Sequence, residues 1–217
     1  MKAPDALGIL GGTFDPVHLA HLALARVARE RLGLAGVLWI PSGLPPHRGL
    51  PQASAAQRLE MVRLAIADEP EFALDASEAG SLAPSYTVHT LERLREAHGP
   101  ERPLVLLMGA DAFRGLPGWH RWRELLALAH IGVATRPGFP LEGVDPPLGD
   151  LLAARRATGT DFHGPAGTVR SFELVAGTVS ATEVRELVAA GDANGKLSAL
   201  LPAPVLDYIR SHHLYRR

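Results

Sequence analysis

Two histidines three residues apart, His18 and His21, stand just beyond a glycine turn in the stretch GILGGTFDPVHLAHLALARVARERL, residues 8–32. An imidazole donates hydrogen bonds and gains charge near neutral pH, so a pair of them suits a phosphate chain, whose oxygens favour donors and positive potential. At helical spacing the two rings share one face. Gly11 and Gly12 precede them, and their missing side chains let backbone amides approach an anion closely. Asp15-Pro16 then reads as a helix start, because Pro in the first turn gives up only an amide that would be unpaired anyway. The amino terminus of that helix adds partial positive charge. The stretch is neither GxxxxGK[ST] nor GxGxxG, for it lacks the lysine of the first and the third glycine of the second. From spacing alone, a glycine turn with two partly buried, hydrogen-bonded histidines is an equally good description. Zinc would call for HExxH or a third ligand nearby.

A second constellation lies in VSATEVRELV, residues 179–188. Ser180 and Glu183 have the spacing of a capping box, which marks an ordinary helix start. Thr182 and Arg185 share a face beside that start, so a hydroxyl, backbone amides and a guanidinium can converge on phosphate. Asp111 follows the apolar run LVLLMG and reads as a loop residue. Trp119 and Trp122 flank GWHRW at a spacing of three; Trp122 is a core residue by this reading, and Trp119 lies in a loop after Pro117-Gly118. His212, His213, Arg216 and Arg217 are assigned no chemistry.

The elements that must position these residues alternate. Short apolar runs at Leu7–Leu10, Val37–Ile40, Leu104–Met108 and Ile131–Ala134 read as buried strands, with a half-buried strand at Phe72–Leu74 and a last one near Val169–Val175. Between them lie helical patterns. One begins at Ser54, where Gln57 completes a capping box, and carries Leu59, Val62 and Ile66 on its apolar face. Another runs through Val88, Leu91 and Leu94 and stops at Gly99-Pro100. Further helices are expected at Ala181–Ala190 and Val205–His212, and residues 137–167 form an irregular excursion with a short helix at Leu151–Arg155. Strand and helix in alternation imply an α/β, Rossmann-like, doubly wound parallel sheet with helices on both faces, its ligand at the carboxyl ends of the strands. With 217 residues, 47% of them hydrophobic, one domain spanning 1–217 is expected. The chain has no Cys, which removes disulfides, thiolate metal sites and a cysteine nucleophile. A formal net charge of −1 argues against a broad nucleic-acid footprint. No signal-like segment or membrane-length apolar run is visible, so a cytoplasmic location away from membranes is expected.

At these residues the sequence resembles a known family. GGTFDPVHLAHL is similar to the GGxFDPxHxGH signature of the nucleotidyltransferase superfamily that contains the nicotinate mononucleotide adenylyltransferases, and VSATEVRELV resembles its ISSTxIR motif. PSGLPPHRGL, PSYTVHTL, LMGADAF, GWHRW and ATRPG resemble intervening segments of the bacterial enzymes in the same order. Ala20 stands where the family usually has Gly, and Arg48 where Lys is common. The resemblance implies adenylyl transfer from ATP, with Mg²⁺ carried by the phosphates, to nicotinate mononucleotide in NAD biosynthesis. It implies catalytic roles for His18, His21 and Arg185. ATP contacts would come from Gly11, Gly12, Thr13, Phe14, Asp111, Ser180, Thr182 and Arg185. Arg48, Tyr86, Thr87, Trp119 and Arg136 would bind the mononucleotide, Trp119 by stacking on its pyridine ring. Nicotinamide mononucleotide or another phosphate acceptor, and a non-catalytic nucleotide sensor, are the alternatives.

Overall fold

The computed structural model describes residues 5–44, 49–81, 83–136, 138, 141, 143–175, 179–192 and 194–216. Its strands are β1 (Leu7–Gly12), β2 (Gly36–Pro41), β3 (Phe72–Leu74), β4 (Leu104–Gly109), β5 (His130–Thr135) and β6 (Val169–Glu173), in one sheet ordered β3-β2-β1-β4-β5-β6. Parallel ladders join β1 to β4, β4 to β5 and β5 to β6. This is the strand order of the doubly wound α/β class, so the expected architecture holds. The helices are α1 (Leu19–Leu32), α2 (Ala55–Ala65), α3 (Thr87–His98), α4 (Ala110–Arg114), α5 (Leu125–Leu128), α6 (Leu148–Arg155), α7 (Ala181–Ala189) and α8 (Ala203–Ser211). The chain gathers into two compact units, one of Met1–Leu10, Leu24–Leu38 and Tyr86–Val175, the other of Gly11–Ala23, Trp39–Ser85 and Ala176–Arg217.

In the first unit the continuous apolar runs explain themselves. All six residues of β5 and the first five of β4 are buried, as parallel strands covered on both faces require. Helix α3 buries Val88, Leu91 and Leu94 and ends at Gly99, whose φ of 81° only glycine adopts without strain. Arg95, on the same helix, replaces apolar packing with hydrogen bonds. Its guanidinium donates to the carbonyls of Gly99 (3.1 Å), Arg102 (2.6 Å), Pro165 (3.1 Å) and Leu128, tying the end of α3 to α5 and to the loop before β6. Trp122 is buried, as its spacing suggested. Three expectations are corrected here. Asp111 lies not in a loop but in the first turn of α4, because Gly109 ends the strand extended and Phe113 gives the next turn a buried anchor. Helix α6 starts at Leu148, three residues early, since that leucine is itself buried. Strand β6 ends at Glu173, and Val175 is exposed.

The second unit is organised around α2. Ser54 and Gln57 form the expected reciprocal capping box, Ser54 Oγ accepting from Gln57 N at 3.2 Å and Gln57 Oε1 from Ser54 N at 2.9 Å. Helix α8 packs against α2. It runs from Ala203, two residues before the expected start, with Pro tolerated in its first turn. Rings of Phe14, Trp39 and Phe72 pack in series at centroid distances of 5.4 and 5.8 Å. No helix among the described residues is long and apolar enough to cross a membrane.

Candidate active site

The loop leaving β1 defines the candidate site of the second unit. A Cβ on Gly11 would meet open space, whereas one on Gly12 would lie 2.9 Å from the Phe14 ring. Gly11 thus keeps its backbone approachable, and Gly12 makes room for an aromatic ring. Phe14 itself is buried at φ 50°, its ring edge-on to His21 at 5.0 Å, so only its backbone can meet a ligand.

The first helix does not open at Asp15-Pro16, as expected, but at Leu19. The reason is the Asp15 carboxylate, which is committed elsewhere: Oδ2 accepts from Gln52 N at 2.8 Å, and Oδ1 accepts from Ala53 N at 3.1 Å and from Tyr215 Oη at 2.8 Å. It cannot also cap a helix. His18 therefore precedes α1, and His21 lies in its first turn. The rings still come together, stacked at a centroid distance of 3.7 Å. His21 Nδ1 accepts from the His18 amide at 3.2 Å, which places the His21 proton on Nε2 and makes that nitrogen a donor. His18 is 5% exposed, and its Nδ1 has no partner among the described residues. Burial lowers its pKa from 6.5 to about 4, so the ring is neutral at pH 7.

Helix α7 brings the second motif to the same loop. Ser180 caps it, Oγ accepting from Glu183 N at 3.1 Å, so the capping half of the reading holds and the hydroxyl is engaged there. Arg185 donates through one terminal nitrogen to the Asp15 carbonyl at 2.8 Å and through the other to Thr182 Oγ1 at 3.2 Å. Arg58, on α2, is 1% exposed. It donates to the carbonyls of Thr13 (2.7 Å), Ser42 (2.6 Å) and Gly43 (3.0 Å), tying the loop after β1 to the loop after β2. Burial lowers its pKa, against the opposing pull of Asp15 and Tyr215. Asp15, Arg58 and Tyr215 were all missed in the sequence, for their partners are tens to hundreds of residues away and no local spacing marks them.

The remaining anticipated residues lie in the first unit or outside the description. Tyr86 precedes α3 and Thr87 opens it. Tyr86 packs its ring 4.5 Å from His120 and 5.6 Å from His89, a cluster that brings in one unanticipated histidine, His89. Trp119 is half-buried in extended backbone just after a short turn of 3₁₀ helix, in the loop that the sequence suggested. The loop behind it is clamped by Arg121, which donates to Glu92 on α3 at 2.9 Å and to Glu124. The Asp111 side chain is 94% exposed, 3.5 Å from Arg114. Arg136 is exposed just after β5. Arg48 lies outside the described residues. Among the described residues no three His, Asp or Glu side chains cluster as a metal site would require.

A doubly wound sheet with paired histidines after a glycine turn and an arginine on a capped helix is the arrangement that the nucleotidyltransferase resemblance implied. Residues 9–187 match the cytidylyltransferase-like family model. A protein of Dechloromonas aromatica named "Probable nicotinate-nucleotide adenylyltransferase" is 54% identical over 98% of this chain and 98% of its own. One of the same name from Laribacter hongkongensis is 46% identical over 97% and 94%. The chain belongs to the nicotinate-nucleotide adenylyltransferase family. In fold it is similar to the Plasmodium falciparum nicotinic acid mononucleotide adenylyltransferase, solved in complexes with APC and with NaAD. The APC complex has a TM-score of 0.70 at 15% identity, over 97% of each chain.

Proposed function

We propose that this protein transfers the adenylyl group of ATP to nicotinate mononucleotide, giving nicotinate adenine dinucleotide and pyrophosphate, as a single-domain cytoplasmic enzyme of NAD biosynthesis. The observation that carries the reading is the stacked His18–His21 pair on a loop whose Asp15 carbonyl is held by Arg185. These are donors for phosphate oxygens, and the reaction needs little else. An oxygen of the acceptor's 5′-phosphate bonds to the α-phosphorus of ATP as the bond to the bridging oxygen breaks, and the electron pair leaves with pyrophosphate. The nucleophile is already an anion, so no activated side chain or general base is needed, and the protein's share is positioning and charge stabilisation. His21 donates through Nε2. His18 supplies a neutral ring that a neighbouring phosphate draws toward its cationic form. Arg185 and Thr182 receive the leaving pyrophosphate; Mg²⁺ carried by the nucleotide would supply further positive charge there, held by the phosphates rather than by a cluster of protein ligands. Gly11, Gly12, Thr13 and Phe14 offer backbone to the phosphates, and Ser180 sets the start of α7. Asp111, whose carboxylate is exposed, suits the ATP ribose. The names of the close relatives support the acceptor.

The acceptor assignment makes its own prediction. Nicotinate is a carboxylate and nicotinamide a neutral amide, so the pocket must distinguish a charge. Backbone amides around Tyr86-Thr87 and Trp119-His120 would donate to the carboxylate, with Trp119 stacked on the ring. Hydrogen bonds to a charged group contribute about 1.5–3 kcal/mol each, so kcat/KM should fall roughly ten- to a few-hundred-fold with nicotinamide mononucleotide. Trp119→Ala should weaken both acceptors together. Pyrophosphate release at saturating Mg·ATP compares them, and equal efficiencies or a preference for the amide would overturn the assignment.

A further inference from the structure

Tyr215 lies far from the motifs in sequence, yet its ring is 8% exposed and its hydroxyl donates to Asp15 Oδ1 at 2.8 Å, two hundred residues away. Its φ is 61°, a left-handed conformation that costs an aromatic residue energy and that its surroundings must hold in place. Those surroundings are specific. Helix α8 packs on α2 and delivers the segment that carries Tyr215, while Gln52 and Ala53, just before α2, donate their amides to the same carboxylate. Three donors thus fix both oxygens of Asp15. The Asp15 carbonyl in turn receives Arg185, whose terminal nitrogen also stands 4.0 Å from Oδ2. Tyr215 and Arg185 share the lining of one cavity of about 380 Å³ with Gln52, Thr182, Glu186 and Arg216. Tyr215 therefore borders the same cavity as Thr182 and Arg185 and does not sit in a remote core.

We infer that Tyr215 is a positioning residue for adenylyl transfer: its hydroxyl orients the Asp15 carboxylate, and Asp15 orients the Arg185 guanidinium toward the leaving pyrophosphate. The inference rests on the function proposed above. The phenol suits the task because it stays a donor. Burial, first of all, and then the neighbouring Asp15 push its ionisation well above the ordinary tyrosine range, so the phenol keeps its proton at neutral pH. Phenylalanine keeps the packing and loses only the donor.

The test is a pair of double-mutant cycles on the full chain. Tyr215→Phe should lower kcat on the order of tenfold while KM for the mononucleotide stays within about twofold. In an Arg185→Lys background, and again in an Asp15→Ala background that removes the acceptor, it should cost almost nothing further, since residues acting through one network are non-additive. A merely structural hydroxyl would add its full effect in both backgrounds, and that result, or an unchanged kcat in Tyr215→Phe, would overturn the inference. If the wild-type chain released no pyrophosphate with any mononucleotide, the proposed function would fail by itself. The same cycles would then be read in ATP affinity by calorimetry, where coupling supports the positioning role and additivity overturns it.

Discussion

His18→Ala should lower turnover roughly 100- to 1,000-fold while changing ATP affinity far less, the cost of removing one preorganised donor whose partner gains charge only in the transition state. The geometry sharpens this expectation. The His18 ring is neutral, buried and stacked on His21, so in the absence of substrate it holds no charge that the fold would have to stabilise. In the proposed reaction, charge would arrive with the phosphates and draw the ring toward its cationic form. Single-turnover rates and equilibrium ATP binding on the same variant separate the two quantities, and near-normal turnover would leave His18 as a packing residue. The same burial has a stability signature of defined sign. The folded-state pKa is lowered from 6.5 to about 4, so the unfolded chain binds the proton more readily. The contribution to stability is complete above about pH 6.5 and is lost as pH falls through 4, amounting to about 3 kcal/mol at most. Urea melts between pH 7 and pH 4 should show this slope in the wild type and lose it in His18→Asn.

Arg185→Lys should lose activity on the order of ten- to a hundredfold although it keeps the charge. Two terminal nitrogens of the guanidinium are in use at once, one on the Asp15 carbonyl at 2.8 Å and the other on Thr182 Oγ1 at 3.2 Å. That fork fixes the plane of the group and leaves its remaining donors directed. An ammonium is a point charge on a flexible stem and cannot hold both partners in one orientation. The loss should fall mainly on kcat, because the leaving group develops its charge after ATP is bound. Steady-state kinetics with pyrophosphate inhibition reads the effect from both sides, and full activity in the lysine variant would reduce the role of Arg185 to charge alone.

The parts of the molecule legible in the sequence are those written in local periodicity. The runs Leu104–Met108 and Ile131–Ala134 are buried strands because nothing polar interrupts them, and Ser54 with Gln57 forms its capping box because both partners lie within one turn. Ser180 caps α7 for the same reason. The histidine pair was legible as a juxtaposition, since a spacing of three survives even though His18 stands outside the helix. What escaped is held by long-range polar contacts. Asp15 looked like the opening of a helix and is instead the meeting point of Gln52, Ala53 and Tyr215. Arg58 sits in a charged helix, where an arginine ordinarily faces solvent, yet it is buried on three carbonyls that only the folded loops bring together. Phe14, in the glycine-turn motif, spends its ring on packing against His21 and Trp39, which leaves its backbone for the motif's role. These residues support the site without belonging to its chemistry, and such support is visible only once the chain has folded.

The central claim, that the α-phosphate of ATP moves to a mononucleotide, is tested most directly by following that phosphate. ATP labelled at the α-position, incubated with nicotinate mononucleotide and Mg²⁺, should deliver its label to nicotinate adenine dinucleotide with one pyrophosphate released per dinucleotide formed. Label that stays in ATP, or that appears only in free AMP or ADP, would contradict it.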